Sequence, residues 1–120
     1  MVEIQLGNLE TKFAEMIWEK EPVTSSELVK MAAAELDWKR TTTHTVLRRL
    51  IDKGLFMNEN GTVTSLVSKQ EFYSMQSRKI VDDSFNGSLP AFIAAFASGK
   101  KLSQSEVDEI QKMIDEFKGE

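Results

Sequence analysis

The 120-residue sequence predicts a mainly α-helical protein with one small β-hairpin: a winged helix-turn-helix domain over residues 1–70, followed by three helices over residues 71–120. Three observations carry this. Apolar residues recur at helical spacing in three successive segments before Gly54, and only a few residues separate the second segment from the third. The period then changes to strand-like composition on both sides of Asn58-Glu59-Asn60-Gly61, which reads as a hairpin turn. From Lys69 the helical pattern returns, broken at Asn86-Gly87-Ser88 and again at Ser98-Gly99.

Residues 1–7 show no period and read as a short arm. Asn8 is the expected N-cap of a first helix whose stripe is Leu9, Phe13, Met16 and Ile17, and Glu21-Pro22 ends it. Thr24-Ser-Ser-Glu27 fits a capping box, the threonine oxygen meeting the third amide while the glutamate reaches back. Leu28, Met31, Ala32 and Leu36 carry that second helix to Asp37. The third helix spans Trp38 to Gly54, where a glycine in left-handed geometry stops it. Leu55-Phe56-Met57 and Thr62 to Val67 are the strands of the wing, which holds no Lys or Arg between Leu55 and Ser68 and has Glu59 near its tip.

Wound at 100° per residue, the third helix sorts into two faces. Thr43, Val46, Leu47, Leu50 and Ile51 share an apolar sector. Thr41, Thr45 and Arg48 lie opposite, with Thr42 and Arg49 on one flank and His44 on the other. Hydroxyls, guanidinium groups and an imidazole suit a major groove, where threonine donates, accepts or touches the thymine methyl and arginine reads guanine or holds phosphate. A solvated basic surface is the plainer reading of the same residues, and a polar docking surface for another protein is a third. Lys39, Arg40, Arg48 and Arg49 are the expected phosphate contacts, with Thr24, Ser25 and Ser26 offering hydroxyls and helix N-terminal amides.

The net charge of −4 at first argues against nucleic acid. Its distribution reverses that inference. Residues 1–37 carry −5 and residues 71–120 carry −3, whereas residues 38–70 hold six Lys/Arg against two Asp/Glu, a local +4. Phosphate responds to the local patch, because salt screens charges beyond about 10 Å.

In the C-terminal part, Phe72, Met75, Ile80, Val81 and Phe85 form one stripe. Leu89 to Ala97 is too apolar all round to face water, and Ser103-Gln-Ser-Glu106 is a second capping box. It opens a helix with Val107, Ile110, Ile114 and Phe117 on one seam. Three short helices without a sheet make a poor core alone. A homodimerisation surface formed by Phe85, Leu89, Phe92, Ile93, Phe96, Val107, Ile110, Ile114 and Phe117 is therefore expected, with a monomeric appendage as the alternative.

Other chemistry is poorly supported. The absence of cysteine removes disulfides, thiolate metal sites and thiol nucleophiles, and suits a reducing cytoplasm. No segment has membrane-spanning length, and no signal-peptide pattern opens the chain, so a cytoplasmic protein is expected. One histidine, no glycine-rich phosphate loop and no paired catalytic carboxylates point away from an enzyme, and no cofactor or metal is expected. Asp82-Asp83 reads as a solvated face, since helix neighbours diverge by 100°. His44 lacks co-ligands for a metal, and Met31, Met57, Met75 and Met113 read as packing residues.

Trp18, the Thr24–Leu28 cap, Asp37-Trp38, Thr42-x-x-Thr45, Arg49-Leu50-x-x-Lys53-Gly54 and Leu102-Ser103-Gln104-x-Glu106-x-x-x-Ile110 occur in this order. With them the sequence resembles the penicillinase-repressor family (BlaI/MecI/CopY) over nearly its whole length. The resemblance implies a dimeric winged-helix transcriptional repressor of operator DNA, with DNA contacts at Thr41, Thr42, His44 and Arg49. It also implies a sensor-linked membrane protease as partner, cutting in the dimerisation domain at a bond that corresponds to Ala95–Phe96. Alanine stands where the family pattern has asparagine. The Cys-x-Cys of the copper-responsive relatives is missing, which places the chain nearer the β-lactam-responsive branch and antibiotic resistance. The alternative function is a winged-helix protein–protein interaction module without sequence-specific DNA binding.

Overall fold

Helix α1 (Asn8–Lys20) opens the computed structural model, which describes residues 6–119. The first five residues of the expected N-terminal arm lie outside that range. The N-cap is Gly7 rather than Asn8: its amide donates to Glu10 Oε1 at 3.1 Å, which is the half of a capping box that needs no N-cap side chain. Phe13, Ala14 and Ile17 are the buried positions of α1, at the spacing of one helical face.

A two-residue strand, β1 (Val23–Thr24), precedes α2 (Ser25–Leu36). Thr24 caps α2 as expected: its Oγ1 accepts from Glu27 N at 3.1 Å, while Glu27 Oε1 accepts from Thr24 N at 3.3 Å. Asp37 ends the helix in left-handed geometry (φ 55°), and α3 (Arg40–Asp52) follows after a short corner. The Phe13 and Trp38 rings pack 5.2 Å apart at that corner, tying the start of α3 to α1. Gly54, with φ +85°, turns the chain out of α3.

The wing is β2 (Phe56–Glu59) and β3 (Thr62–Ser65), paired antiparallel with Glu59 opposite Thr62 and Phe56 opposite Ser65. The turn is tighter than expected. Only Asn60 and Gly61 lie outside the strands, both with positive φ (55° and 88°), the requirement of a two-residue hairpin that follows strand twist. β3 is the central strand, because β1 pairs on its other side with Val23 opposite Val63. The sequence reading contained no such strand; two residues are too few to show a period.

The core gathers Phe13, Ile17, Leu28, Leu47, Leu50, Leu55, Phe56, Val63 and Phe72 from helices, wing and the start of α4. Side chains of this size each contribute about 1.5–3 kcal/mol on burial. Trp18 lies between the Phe56 and Phe72 rings (5.3 and 5.5 Å) and donates from Nε1 to Val67 O at 2.9 Å.

α4 (Lys69–Phe85) begins with another capping box: Glu71 N donates to Ser68 Oγ and Ser68 N to Glu71 Oε1, both at 3.1 Å. The Ser68 amide, and after it the Ser68 hydroxyl, hold the Glu71 carboxyl below its ordinary pKa. The chain divides into two compact units between Arg78 and Lys79, within α4. In the second unit, Asn86 (φ 50°) and Gly87 (φ 76°) end α4 and Ser88 caps α5 (Leu89–Gly99). Ser103 and Glu106 then form the expected box for α6 (Gln104–Phe117). The Phe85 and Phe92 rings meet edge to face at 5.4 Å.

Candidate nucleic-acid interface

α3 presents the surface that the sequence singled out. Lysine cannot act as a side-chain cap, so the helix starts from the backbone of Lys39, whose carbonyl accepts from Thr43 N at 3.0 Å. Thr43, Val46, Leu47 and Leu50 are buried, which fixes the rotation of the helix about its axis. The Thr43 hydroxyl is satisfied locally by donating to Lys39 O at 3.3 Å. Ile51, placed in the same sector by the sequence, is only half-buried.

Burial of that face turns two rows outward, each with a spacing of four residues. Arg40, His44, Arg48 and Asp52 form one row, and Thr41, Thr45 and Arg49 the other. All seven line one open groove of about 450 Å³. Lys39 and Thr42 are also exposed. Thr45 Oγ1 donates to Thr41 O at 2.8 Å, so its hydrogen is used within the helix while its lone pairs and methyl remain for a ligand.

The cationic end of α3 is organised by a residue that the sequence reading did not connect to it. Glu10 on α1 receives Lys53 Nζ at 3.2 Å. The Gly7 amide is the main cause of a lowered Glu10 pKa; Lys53 and the charge of Arg49 add to it, and partial burial opposes it. Lys53, counted in the basic patch, is thus held by a carboxylate 43 positions earlier in the chain. No local signal reports such a pair.

At the N-terminus of α2 the Thr24 hydroxyl both accepts from Glu27 N and donates to Glu27 Oε1 (2.9 Å). The Ser25 amide donates to Gly61 O at 2.9 Å, which ties the wing turn to α2. Ser26 is exposed. Asn58 Oδ1 accepts from Gly61 N at 2.9 Å, so this asparagine shapes the turn. Glu21, read from sequence only as the end of α1, has a further role: its Oε1 accepts from both Ser65 N and Ser65 Oγ at 2.8 Å and anchors β3 to that end.

A second concavity, of about 520 Å³, is lined by Glu15, Trp18, Glu19, Glu21, Ser68 and Lys69. Lys69 pairs with Glu15 at 3.4 Å, and Tyr73 Oη donates to the same carboxylate at 3.0 Å. Partial burial, helped by Glu15, raises the Tyr73 pKa. Among the described residues no cluster of His, Asp and Glu is arranged to hold a metal ion, and no helix is long and apolar enough to cross a membrane.

The residues expected on a dimer surface occupy the second unit. Leu89, Ile93, Phe96, Val107, Ile114 and Phe117 are exposed, the last at 82%, while Phe85, Phe92 and Ile110 are half-buried. No described residue of this unit is buried. The Ala95–Phe96 bond lies inside α5, and Ala95 O accepts from Ser98 Oγ at 2.8 Å.

A helical core with a small antiparallel wing and an outward helix of this composition defines a winged-helix DNA-binding protein. A sequence model of the family described as "Penicillinase repressor" matches residues 6–116. The chain belongs to the penicillinase repressor family, and it is a transcriptional repressor of that type rather than an enzyme. It is 25% identical over 118 residues to a penicillinase repressor of Bacillus licheniformis, an alignment spanning 95% of this chain and 92% of the relative. It is 21% identical over 114 residues to the methicillin resistance regulatory protein MecI of Staphylococcus aureus, covering 92% and 93% of the two chains.

Proposed function

We propose that the protein works as a homodimer on a pseudo-palindromic operator, placing one α3 from each protomer in successive major grooves about 34 Å apart. The observation that carries this is the outward face of α3: with Thr43, Val46, Leu47 and Leu50 buried, its arginines and threonines line a single open groove. Thr41, Thr42, His44 and Thr45 meet base edges or methyl groups. Lys39, Arg40, Arg48 and Arg49 meet phosphates, with Ser25 and Ser26 beside them and Thr24 holding the α2 terminus in place. The wing contributes little charge. Occupancy at a promoter excludes polymerase, and the setting is the cytoplasm.

Residues 1–70 are the DNA-binding domain in this proposal and residues 71–120 the dimerisation domain. The lack of any buried described residue in the second unit supports a partner copy covering Phe85, Leu89, Phe92, Ile93, Phe96, Val107, Ile110, Ile114 and Phe117. Cleavage at Ala95–Phe96 by a sensor-linked protease, or other destabilisation of these helices, releases the operator by removing bivalency. Because that bond is helical, cleavage requires α5 to unwind locally. The names of the two relatives support control of β-lactam resistance genes.

The test is a gel shift on operator-like and random duplexes at two salt concentrations. Arg49→Ala is expected to weaken binding to both and to lower the salt slope by about one unit per protomer. An unchanged slope removes Arg49 from phosphate contact. Absence of any shift on either duplex favours the protein-docking alternative, for which the wing without Lys or Arg is the supporting feature.

A further inference from the structure

His44 is the only histidine of the chain. It is exposed in the middle of an outward row of α3, four residues after Arg40 and four before Arg48. Its neighbours in the groove are already committed in part: the Thr45 hydroxyl donates to Thr41 O, and Arg49 lies close enough to Glu10 to lower that carboxyl's pKa. No hydrogen bond or ion pair among the described residues engages the imidazole, so both ring nitrogens are left without a partner from the protein's described residues.

We infer that His44 contacts DNA as imidazolium, donating to an acceptor of the duplex, so that each protomer takes up a proton on binding. The inference rests on the DNA-binding proposal above. A neutral imidazole offers one donor and one acceptor, whereas phosphate oxygens and the guanine N7 and O6 edge are all acceptors. The acceptor nitrogen is unpaired against such a surface, and protonation turns it into a second donor.

The groove is lined by α3 alone, so the charged groups facing the ring are Arg40, Arg48, Arg49 and Asp52. Phosphates drawn to the three guanidinium groups offset their repulsion of a further cation. Imidazole is the side chain whose charge ordinarily changes between pH 5 and 8, so binding becomes pH-dependent in that range.

The experiment measures fluorescence anisotropy of the full chain from pH 6 to 8 at constant ionic strength. One probe is a random-sequence duplex, and the other a duplex enriched from a random library by the wild-type protein. Wild-type affinity is expected to fall severalfold per bound protomer as pH rises from 6 to 8. His44→Gln should bind more weakly at pH 6 and lose this dependence, which also separates it from titration of the chain's amino terminus. His44→Arg should keep the pH 6 affinity at pH 8. Dependence confined to the enriched duplex assigns the acceptor to a guanine edge, and dependence on both assigns it to phosphate in place of the base-edge role given to His44 above; either supports the inference. Equal pH dependence in wild type and His44→Gln overturns it while leaving DNA binding intact. Failure to bind either duplex at both pH values overturns the inference together with the function beneath it.

Discussion

Glu10 shows how one side chain can serve the recognition helix without facing a ligand. Its carboxylate accepts from the Gly7 amide that opens α1 and pairs with Lys53 at the end of α3. Both partners favour the ionised form, and the carboxyl is held below its ordinary value of 4.5. A carboxyl with a lowered folded pKa adds stability that is present above its unfolded pKa and is lost as pH falls through the folded one. Wild-type stability should therefore drop more steeply than that of Glu10→Gln as pH is lowered from about 5 to about 3. Urea unfolding at several pH values measures this, and parallel curves would show that Glu10 gains nothing from folding.

At the scale of elements, the wing depends on two residues that tolerate left-handed backbone. Asn60 and Gly61 have φ of 55° and 88°, and no atom lies within 4 Å of a Cβ placed on Gly61. Substitution there meets backbone strain but no collision. Gly61→Val should cost about 1–2 kcal/mol, measured by urea unfolding with α3 unaltered. A loss near zero would mean that the turn relaxes to another type. The same turn holds the start of α2 through Ser25 N and Gly61 O, so the wing braces the helix-turn-helix even where it brings no charge to DNA.

At the scale of the whole molecule, charge and apolar surface are segregated. A net −4 coexists with a local +4 over residues 38–70, so the acidic remainder opposes general attraction to polyanions while α3 remains cationic. The second unit exposes Ile93, Phe96, Ile114 and Phe117, and none of its described residues is fully buried. Ile114→Asp is expected to give a monomer by analytical ultracentrifugation and to weaken operator binding by about 10²-fold through lost bivalency. Binding of a single half-site should be unchanged. A variant that stays dimeric would move the interface away from α6.

The helices, two of their caps and the hairpin were legible in the chain because periodicity, Ser/Thr-x-x-Glu spacing and Asn-Gly turns act over a few residues. The buried and exposed sides of α3 followed from the same period: Thr43 and Leu50 point inward, and Arg40, His44 and Arg48 outward. Long-range partners were not legible. Val23–Thr24 becomes a strand only because β3 lies beside it. Lys53 finds Glu10, Ser65 finds Glu21, and Trp18 finds Val67 across 43 to 49 positions of sequence. Each of these contacts depends on two distant segments being brought together by burial of a shared core, a collective property that no local window of residues contains.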